Sequence, residues 1–314
     1  MFLDYEKAFD CIDWNFIYNT LLYFDFGPSL IQWIQVFYNN AVTCVMNNGF
    51  VSSCFKVSRG VRQGCPLSPY LFICCTEILN ALIVYNQNIK GIFVDNFEVK
   101  ISQYADDTVL ICDGTDNSIS EIRKVLNNFS NVSGLKVNFE KSFIFLLGPY
   151  VTSTPNRFSN YEYPICKNSF TYLGITFSHH YEDFFQLNYV PKLSRIKSIL
   201  KIWETRDLTP IGKIQILKSF AISQIVYLLM VLPNPHSNFF AELNSVFFQF
   251  IWGNKPDKVA RSVMFNDMCD GGLDMINMFI FAKSLKCKWV KMYLDNIVNP
   301  CKSLLDYFLK WLWW

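Results

Sequence analysis

The chain has 314 residues, with 28 Lys plus Arg against 26 Asp plus Glu, and is 51% apolar and 17% aromatic. That composition excludes a disordered or low-complexity chain and supplies a sizeable core, while the balanced charge by itself selects no partner. It is slightly greasy for a free-standing domain, so part of the apolar surface is expected to meet further chain or a partner.

Met1-Phe2-Leu3-Asp4 reads as the end of a strand, and Tyr5 to Asp13 as a loop or helical turn. Ile12, Phe16, Ile17, Leu21 and Leu22 then recur at helical spacing. Gly27-Pro28-Ser29 breaks that helix, and Ser29 is expected to cap the next, which ends near Tyr38. Thr43 to Met46 and Phe50 to Val57 read as strands around Asn47-Asn48-Gly49, because Asn and Gly tolerate the positive φ of a hairpin turn. A basic loop, Arg59-Gly60-Val61-Arg62-Gln63-Gly64-Cys65-Pro66-Leu67, follows. Ser68 as N-cap and Pro69 then open an apolar helix to about Tyr85.

Phe97 to Ser102 and Thr108 to Cys112 have strand character, with Gln103-Tyr104-Ala105-Asp106-Asp107 between them. Adjacent carboxylates raise each other's pKa, and a divalent cation with oxygen ligands relieves that repulsion. Ser118 with Glu121 reads as a capping box for a helix that Gly134 ends, and Val137 to Leu147 returns to strand character. A polar loop over 149–168 and a hairpin over Phe170 to Phe177 follow. Beyond about residue 180 helices take over: Val190 to Trp203 holds one stripe and Thr209-Pro210 opens the next.

Eleven cysteines, none in a CxxC pair, read as reduced, buried thiols of an intracellular protein. No cysteine stands at ligand spacing from His179, His180 or His236, which argues against zinc. The most apolar run, Ala221 to Pro233, is too short for a membrane span and contains Ser223 and Gln224. No secretory leader is read, since acids occur by Asp4 and Glu6. The abrupt entry into a strand and the terminal Trp311-Leu312-Trp313-Trp314 lead us to expect truncation at both ends.

The near-zero total charge hides an asymmetry. Residues 1–31 carry five acids and one base, whereas residues 190–220 carry seven bases, Lys197 and Lys201 among them, against Glu204 and Asp207. Asp4 at a strand end and Asp106 and Asp107 at a turn form a carboxylate set suited to two Mg²⁺ and phosphoryl transfer. The basic helices suit phosphate contacts, and the aromatics suit core packing first and base stacking second.

Together these residues resemble the reverse transcriptases of non-LTR (LINE-type) retrotransposons. Phe2-Leu3-Asp4-Tyr5-Glu6-Lys7-Ala8-Phe9-Asp10 resembles the first catalytic motif, and Gly60 to Pro69 the second. Tyr104-Ala105-Asp106-Asp107 resembles the third motif. Gly134-Leu135-Lys136-Val137-Asn138 with Lys141-Ser142 resembles the fourth, and Phe170 to Ile175 the primer-grip hairpin. Ile251-Trp252-Gly253-Asn254-Lys255-Pro256, with Gly271-Gly272-Leu273, is similar to the segment after the thumb. The resemblance implies an α+β fold: a palm over 1–178, a helical thumb over 179–250 and a helical extension over 251–314.

It further implies RNA-directed DNA synthesis, with an RNA template, a DNA primer and deoxynucleoside triphosphates as partners. Asp4, Asp106 and Asp107 are the implied catalytic, metal-binding triad for two Mg²⁺. Phe9, Arg62, Gln63, Gly64 and Lys141 are the implied nucleotide contacts. Tyr104, Tyr172, Leu173, Gly174, Lys197 and Lys201 are the implied primer and template contacts. Lys7 reads as a loop charge rather than a catalytic one. A nuclear location follows if the chain acts in retrotransposition, and no membrane is implied. The alternative is a non-catalytic nucleic-acid-binding scaffold descended from such an enzyme, which loss of an acid would favour; all three acids are present. Because the family's fingers precede the first motif, the chain alone is expected to extend primers poorly or not at all.

Overall fold

The computed structural model describes residues 1–94, 96–151, 163–166, 168–253, 255–295, 302 and 305–307. It forms two compact units, Met1–Lys167 and Asn168–Trp314. Most of the polar loop expected over 149–168 lies outside the described residues, as do Asn254, Cys301 and the terminal tryptophans. The units part before the hairpin at Phe170, where the motif reading had kept that hairpin with the palm.

In the first unit β1 (Phe2–Leu3) precedes α1 (Ala8–Cys11), α2 (Trp14–Tyr23) and α3 (Pro28–Tyr38). The α2 N-cap is Asp13, whose side chain accepts from Phe16 N–H. The cap expected at Ser29 is corrected: α3 starts at Pro28 after Gly27, because a first-turn proline lacks only an N–H that had no helical partner. A narrow hairpin follows. Strand β2 (Val42–Thr43) pairs with β5 (Phe55–Lys56), and β3 (Met46–Asn47) with β4 (Phe50–Val51). Asn48 and Gly49 turn between β3 and β4 with φ of 48° and 84°, as the Asn-Gly signal predicts.

The long helix α4 (Ser68–Val84) has Leu67 as N-cap, one residue before the expected Ser68. Next come β6 (Ile92–Val94), β7 (Phe97–Val99), β8 (Ile101–Tyr104), β9 (Asp107–Leu110) and α5 (Asp116–Ser133). The strand expected over Phe97 to Ser102 is split. Its first half pairs with β6 and its second with β9, and Lys100 stands between them. Lys100 is buried, with Nζ donating to the carbonyls of Val84 (3.1 Å) and Asn86 (3.0 Å) at the end of α4 and pairing with Glu98 at 3.4 Å. The cap of α5 is Thr115 rather than Ser118, since Thr115 accepts from Ser118 N–H, and Gly134 closes the helix at φ 78° as expected. Strands β10 (Ile144–Phe145) and β11 (Ile165–Cys166) pair in parallel.

The sheet that carries Asp4 and the Asp106-Asp107 turn has the order β1-β9-β8, all antiparallel. The core gathers Leu3 and Leu110 from the sheet with Ile17 and Leu21 of α2, Phe72 and Leu79 of α4, and Leu126 and Phe129 of α5. Burial of such side chains is worth about 1.5–3 kcal/mol each. Outside it, Trp33 and Phe37 on α3 and Phe50 on the hairpin are exposed, in line with the apolar surface anticipated from composition.

The second unit opens with β12 (Ser169–Tyr172) and β13 (Ile175–Ser178), an antiparallel hairpin. A π-helical turn leads into α6 (Val190–Glu204). Helices α7 (Pro210–Ile216) and α8 (Ser223–Val231) are joined by a second π-helical turn, Leu217–Ile222. They precede α9 (Ser237–Trp252), α10 (Arg261–Met264) and α11 (Met278–Leu294). Continuity through the π-helical turn makes Pro210–Val231 long and apolar enough to cross a membrane by length and composition. The sequence reading, which judged the apolar run too short, is corrected on that point. The apolarity serves packing: Ile214, Leu217, Ile222, Ile225 and Leu229 sit in the core with Phe239, Leu243 and Phe247 of α9.

The expected burial of the cysteines is also corrected. Among the described residues only Cys75 is buried, and Cys44, Cys54, Cys269 and Cys287 are exposed.

Candidate active site

Antiparallel pairing of Tyr104 with Asp107 leaves Ala105 and Asp106 as the turn between β8 and β9. Ala105 has φ 54°, a left-handed conformation that costs an L-residue about 1–2 kcal/mol. Residues held this way cluster where function demands a particular chain path. Leu3 pairs with Thr108, so Asp4 is the next position in register, opposite Asp107. All three expected acids therefore meet at one end of one sheet.

Asp4 is held by groups the sequence reading gave no role. Its N–H donates to Ser142 Oγ at 3.0 Å, and its carbonyl accepts from Asn138 N–H at 2.8 Å. Asn138 Oδ1 in turn accepts from the N–H groups of Glu140 and Lys141. That turn brings Lys141 Nζ to 4.0 Å from Asp4 Oδ2. Both side chains are exposed, so the pair contributes less than about 1 kcal/mol and leaves the lysine free to exchange partners.

The Asp107 carboxyl is pushed above its ordinary range, first by desolvation, then by the charges of Asp106 and Asp4. A proton is thus held to higher pH than on an ordinary aspartate, and proton and cation compete for that carboxylate. Cation affinity should fall as pH drops through the raised pKa. Because the folded value lies above the unfolded one, Asp107 withdraws stability as pH rises through that window. Replacing Asp4 with Asn should move the Asp107 midpoint down towards the ordinary range in a carboxyl-carbon NMR titration. An unmoved midpoint would show that the two acids do not face each other.

Among the described residues no three His, Cys, Asp or Glu side chains are gathered tightly enough to hold an ion by themselves. The donor set nevertheless fits Mg²⁺, which is commonly held by one or two carboxylates together with water and substrate phosphates. Asp4, Asp106 and Asp107 are hard oxygen donors in mutual repulsion, with one lysine beside them.

The basic glycine loop docks on the first motif through its backbone. Gly60 N–H donates to Ile12 O at 2.8 Å, Val61 N–H to Phe9 O at 2.6 Å, and Trp14 Nε1 to Gly60 O at 2.7 Å. Gly60 has φ 88°, and a Cβ there would lie 2.6 Å from the carbonyl oxygen of Asp10. Phe9 is half-buried and stacks on Phe72, with ring centroids 4.8 Å apart. Arg62, Gln63 and Gly64 are exposed. A cavity of about 990 Å³ lies against this loop, lined by Lys7, Asp10, Trp14, Arg59, Arg62 and Gln63 together with the β2 and β5 strands. Neither Gly64 nor the three acids line it. Tyr104, opposite Asp107, is exposed.

In the second unit Tyr172 ends β12, and Leu173 (φ 48°) and Gly174 (φ 75°) make the two-residue turn into β13. Asn188, which the sequence reading missed, anchors this hairpin. It is buried, its Oδ1 accepts from Thr176 N–H (2.8 Å), and its Nδ2 donates to the carbonyls of Thr176 (2.8 Å) and Phe184 (3.0 Å). Asn188→Ala strands those part-buried groups and is expected to cost about 1–3 kcal/mol of second-unit stability. Denaturant unfolding checks it, and a loss below half of that range would mean water replaces the amide. On α6, Lys197 pairs with Glu242 at 2.7 Å, and Lys201 is exposed in the last turn.

Comparison with known proteins gives the same direction. Residues 1–177 match the family model described as reverse transcriptase (RNA-dependent DNA polymerase). The chain is 26% identical over 305 residues to the transposon TX1 uncharacterized 149 kDa protein of Xenopus laevis, covering 95% of this chain and 23% of that protein. It is 31% identical over 141 residues to the retrovirus-related Pol polyprotein from type-2 retrotransposable element R2DM of Drosophila melanogaster, covering 45% of this chain and 13% of that protein. A third match, 47% identical over 66 residues, is the uncharacterized mitochondrial protein AtMg01250 of Arabidopsis thaliana, covering 19% of this chain and 54% of that protein. The chain spans less than a quarter of the length of the first two of these relatives. With more than half its length matched, its motifs in order and an α+β fold, the chain belongs to the reverse transcriptase (RNA-dependent DNA polymerase) family, in its non-LTR retrotransposon branch.

Proposed function

We propose that the first unit extends a DNA primer on an RNA template by nucleotidyl transfer. The observation that carries this reading is the convergence of Asp4, Asp106 and Asp107 at one sheet end, with Lys141 alongside. Two Mg²⁺ ions, when bound, would activate the primer hydroxyl and neutralise the triphosphate. The chain's own part is positioning. Asp106 and Asp107 present oxygens from the turn, and Asp4 presents its own from the neighbouring strand. Lys141, 4.0 Å from Asp4, neutralises departing pyrophosphate in this reading. Arg62, Gln63 and Gly64 offer charge and backbone N–H groups to the nucleotide and template. Phe9, braced by Phe72, forms a firm surface under the sugar and disfavours a 2′-hydroxyl. Tyr104 and the Tyr172-Leu173-Gly174 turn support the primer, and Lys197 and Lys201 contact backbone phosphates, which makes binding salt-dependent. A nuclear site of action follows from this role.

The test is primer extension on an RNA template with Mg²⁺, run on the chain alone and on the chain joined to a relative's upstream fingers segment. Weak or absent extension is expected from the first. Template-dependent extension, abolished by a chelator, is expected from the second. No extension from the joined protein, with RNA binding intact, would favour the scaffold reading instead.

A further inference from the structure

Two exposed cysteines stand on opposite arms of the hairpin that walls the basic cavity, each one residue beyond its paired strand. Val42 pairs with Lys56 and Thr43 with Phe55, so the next pair in register is Cys44 with Cys54. Val57 N–H donates to Ala41 O, one bond of a hydrogen-bonded position, while the Ala41 N–H turns back to Tyr38 O. Alternation along an antiparallel ladder then makes Cys44 and Cys54 a non-hydrogen-bonded pair. Such pairs have Cα atoms about 4.5 Å apart and side chains on the same face. That separation falls inside the range of about 4.4–6.8 Å that disulfides span. Beyond them Ser52 N–H donates to Val45 O, one residue out of the same register, so Ser53 is an extra residue and the ladder is bulged beside the pair. Both cysteines are exposed and reduced.

From this pairing we infer that Cys44 and Cys54 form a redox-sensitive dithiol, convertible to a cross-strand disulfide by a low-molecular-weight disulfide of the glutathione class. The thiolate of one cysteine attacks the small disulfide, forming a mixed disulfide and releasing one small thiolate. The second cysteine's thiolate then attacks the protein sulfur of that mixed bond. The protein disulfide forms and the second small thiolate leaves. Two protein thiols are oxidised, one small disulfide is reduced to two thiols, and the two protons lost by the cysteines end on the two released small thiolates. Val42, Thr43, Phe55 and Val57 line the cavity beside Arg59 and Arg62, so the bond ties together the two strands that form this wall. In a reducing cell such a bond is transient, as disulfides of sensing sites are.

The test uses the full chain, incubated with oxidised glutathione, quenched with an alkylating agent, digested and mapped by mass spectrometry. The expected product is a Cys44–Cys54 linked peptide lighter by two hydrogens than its reduced form, restored by dithiothreitol. Cys44→Ser should instead leave glutathione attached to Cys54. Three results would overturn the inference: both cysteines alkylated after oxidation, both carrying glutathione without linkage, or either joined to a different cysteine. The first measurement needs no variant, so folding of Cys44→Ser does not decide the outcome.

Discussion

Asp106→Ala, made in the chain together with an upstream fingers segment, is expected to lower primer extension by at least about 10³-fold, as loss of a positioned charge-stabilising group does in other enzymes. RNA binding should change little, because Asp106 is an exposed turn residue that contributes no core packing. The substitution also removes one of the charges that raise the Asp107 carboxyl. The variant should therefore show a lower Asp107 midpoint and no loss of stability, a combination that a merely structural turn residue would not give. Extension surviving within about tenfold of the parent would dismiss Asp106 as a metal ligand.

Gly60→Ala is expected to damage the same activity by another route. The residue sits at φ 88°, and its new Cβ would meet the Asp10 carbonyl oxygen at 2.6 Å. The flexible end of a side chain could move aside; a backbone carbonyl in the first catalytic motif cannot do so without shifting that motif. Left-handed strain and overpacking together should cost about 2–5 kcal/mol. Because Gly60 and Val61 donate to Ile12 and Phe9, the relief of the clash pulls the glycine loop from the first motif. Both a lower unfolding midpoint of the first unit and a raised KM for nucleotide are expected. A variant as stable as the parent would mean the loop is not docked as described.

The parts of the molecule that were legible in the sequence share a physical character. A turn within Gln103 to Asp107 was readable because apolar residues on each side mark both strands, and the register narrows it to Ala105 and Asp106. Gly134 and Asn48-Gly49 were readable because positive φ restricts the residue type. Helix starts were missed by one to three residues at Ser29, Ser68 and Ser118, where proline or a second polar residue nearby satisfies the same pattern. Only the actual backbone angles choose between such neighbours. Lys100 broke an apparent strand because a lysine reads as surface, yet its ammonium is satisfied by the carbonyls that end α4. The three acids of the site were legible, and family motifs made them so. Ser142, Asn138 and Asn188, which hold the site and the second-unit hairpin, were not. Short polar residues are common in loops, and nothing in their spacing names a distant partner.

The position of Asp4 also has a consequence for synthesis. Its N–H finds Ser142 across 138 residues of chain, and β1 pairs with β9 and, through Phe2, with Phe143. At about 5–20 residues per second, a ribosome makes β9 some 5–20 s after β1. Throughout that interval β1 is an unpaired edge with an apolar face. The helices between them draw on local contacts, whereas the carboxylate cluster must wait for closures far apart in the chain. That end of the sheet thus closes only once the chain has been made as far as Ser142, and until then it depends on whatever guards a nascent chain.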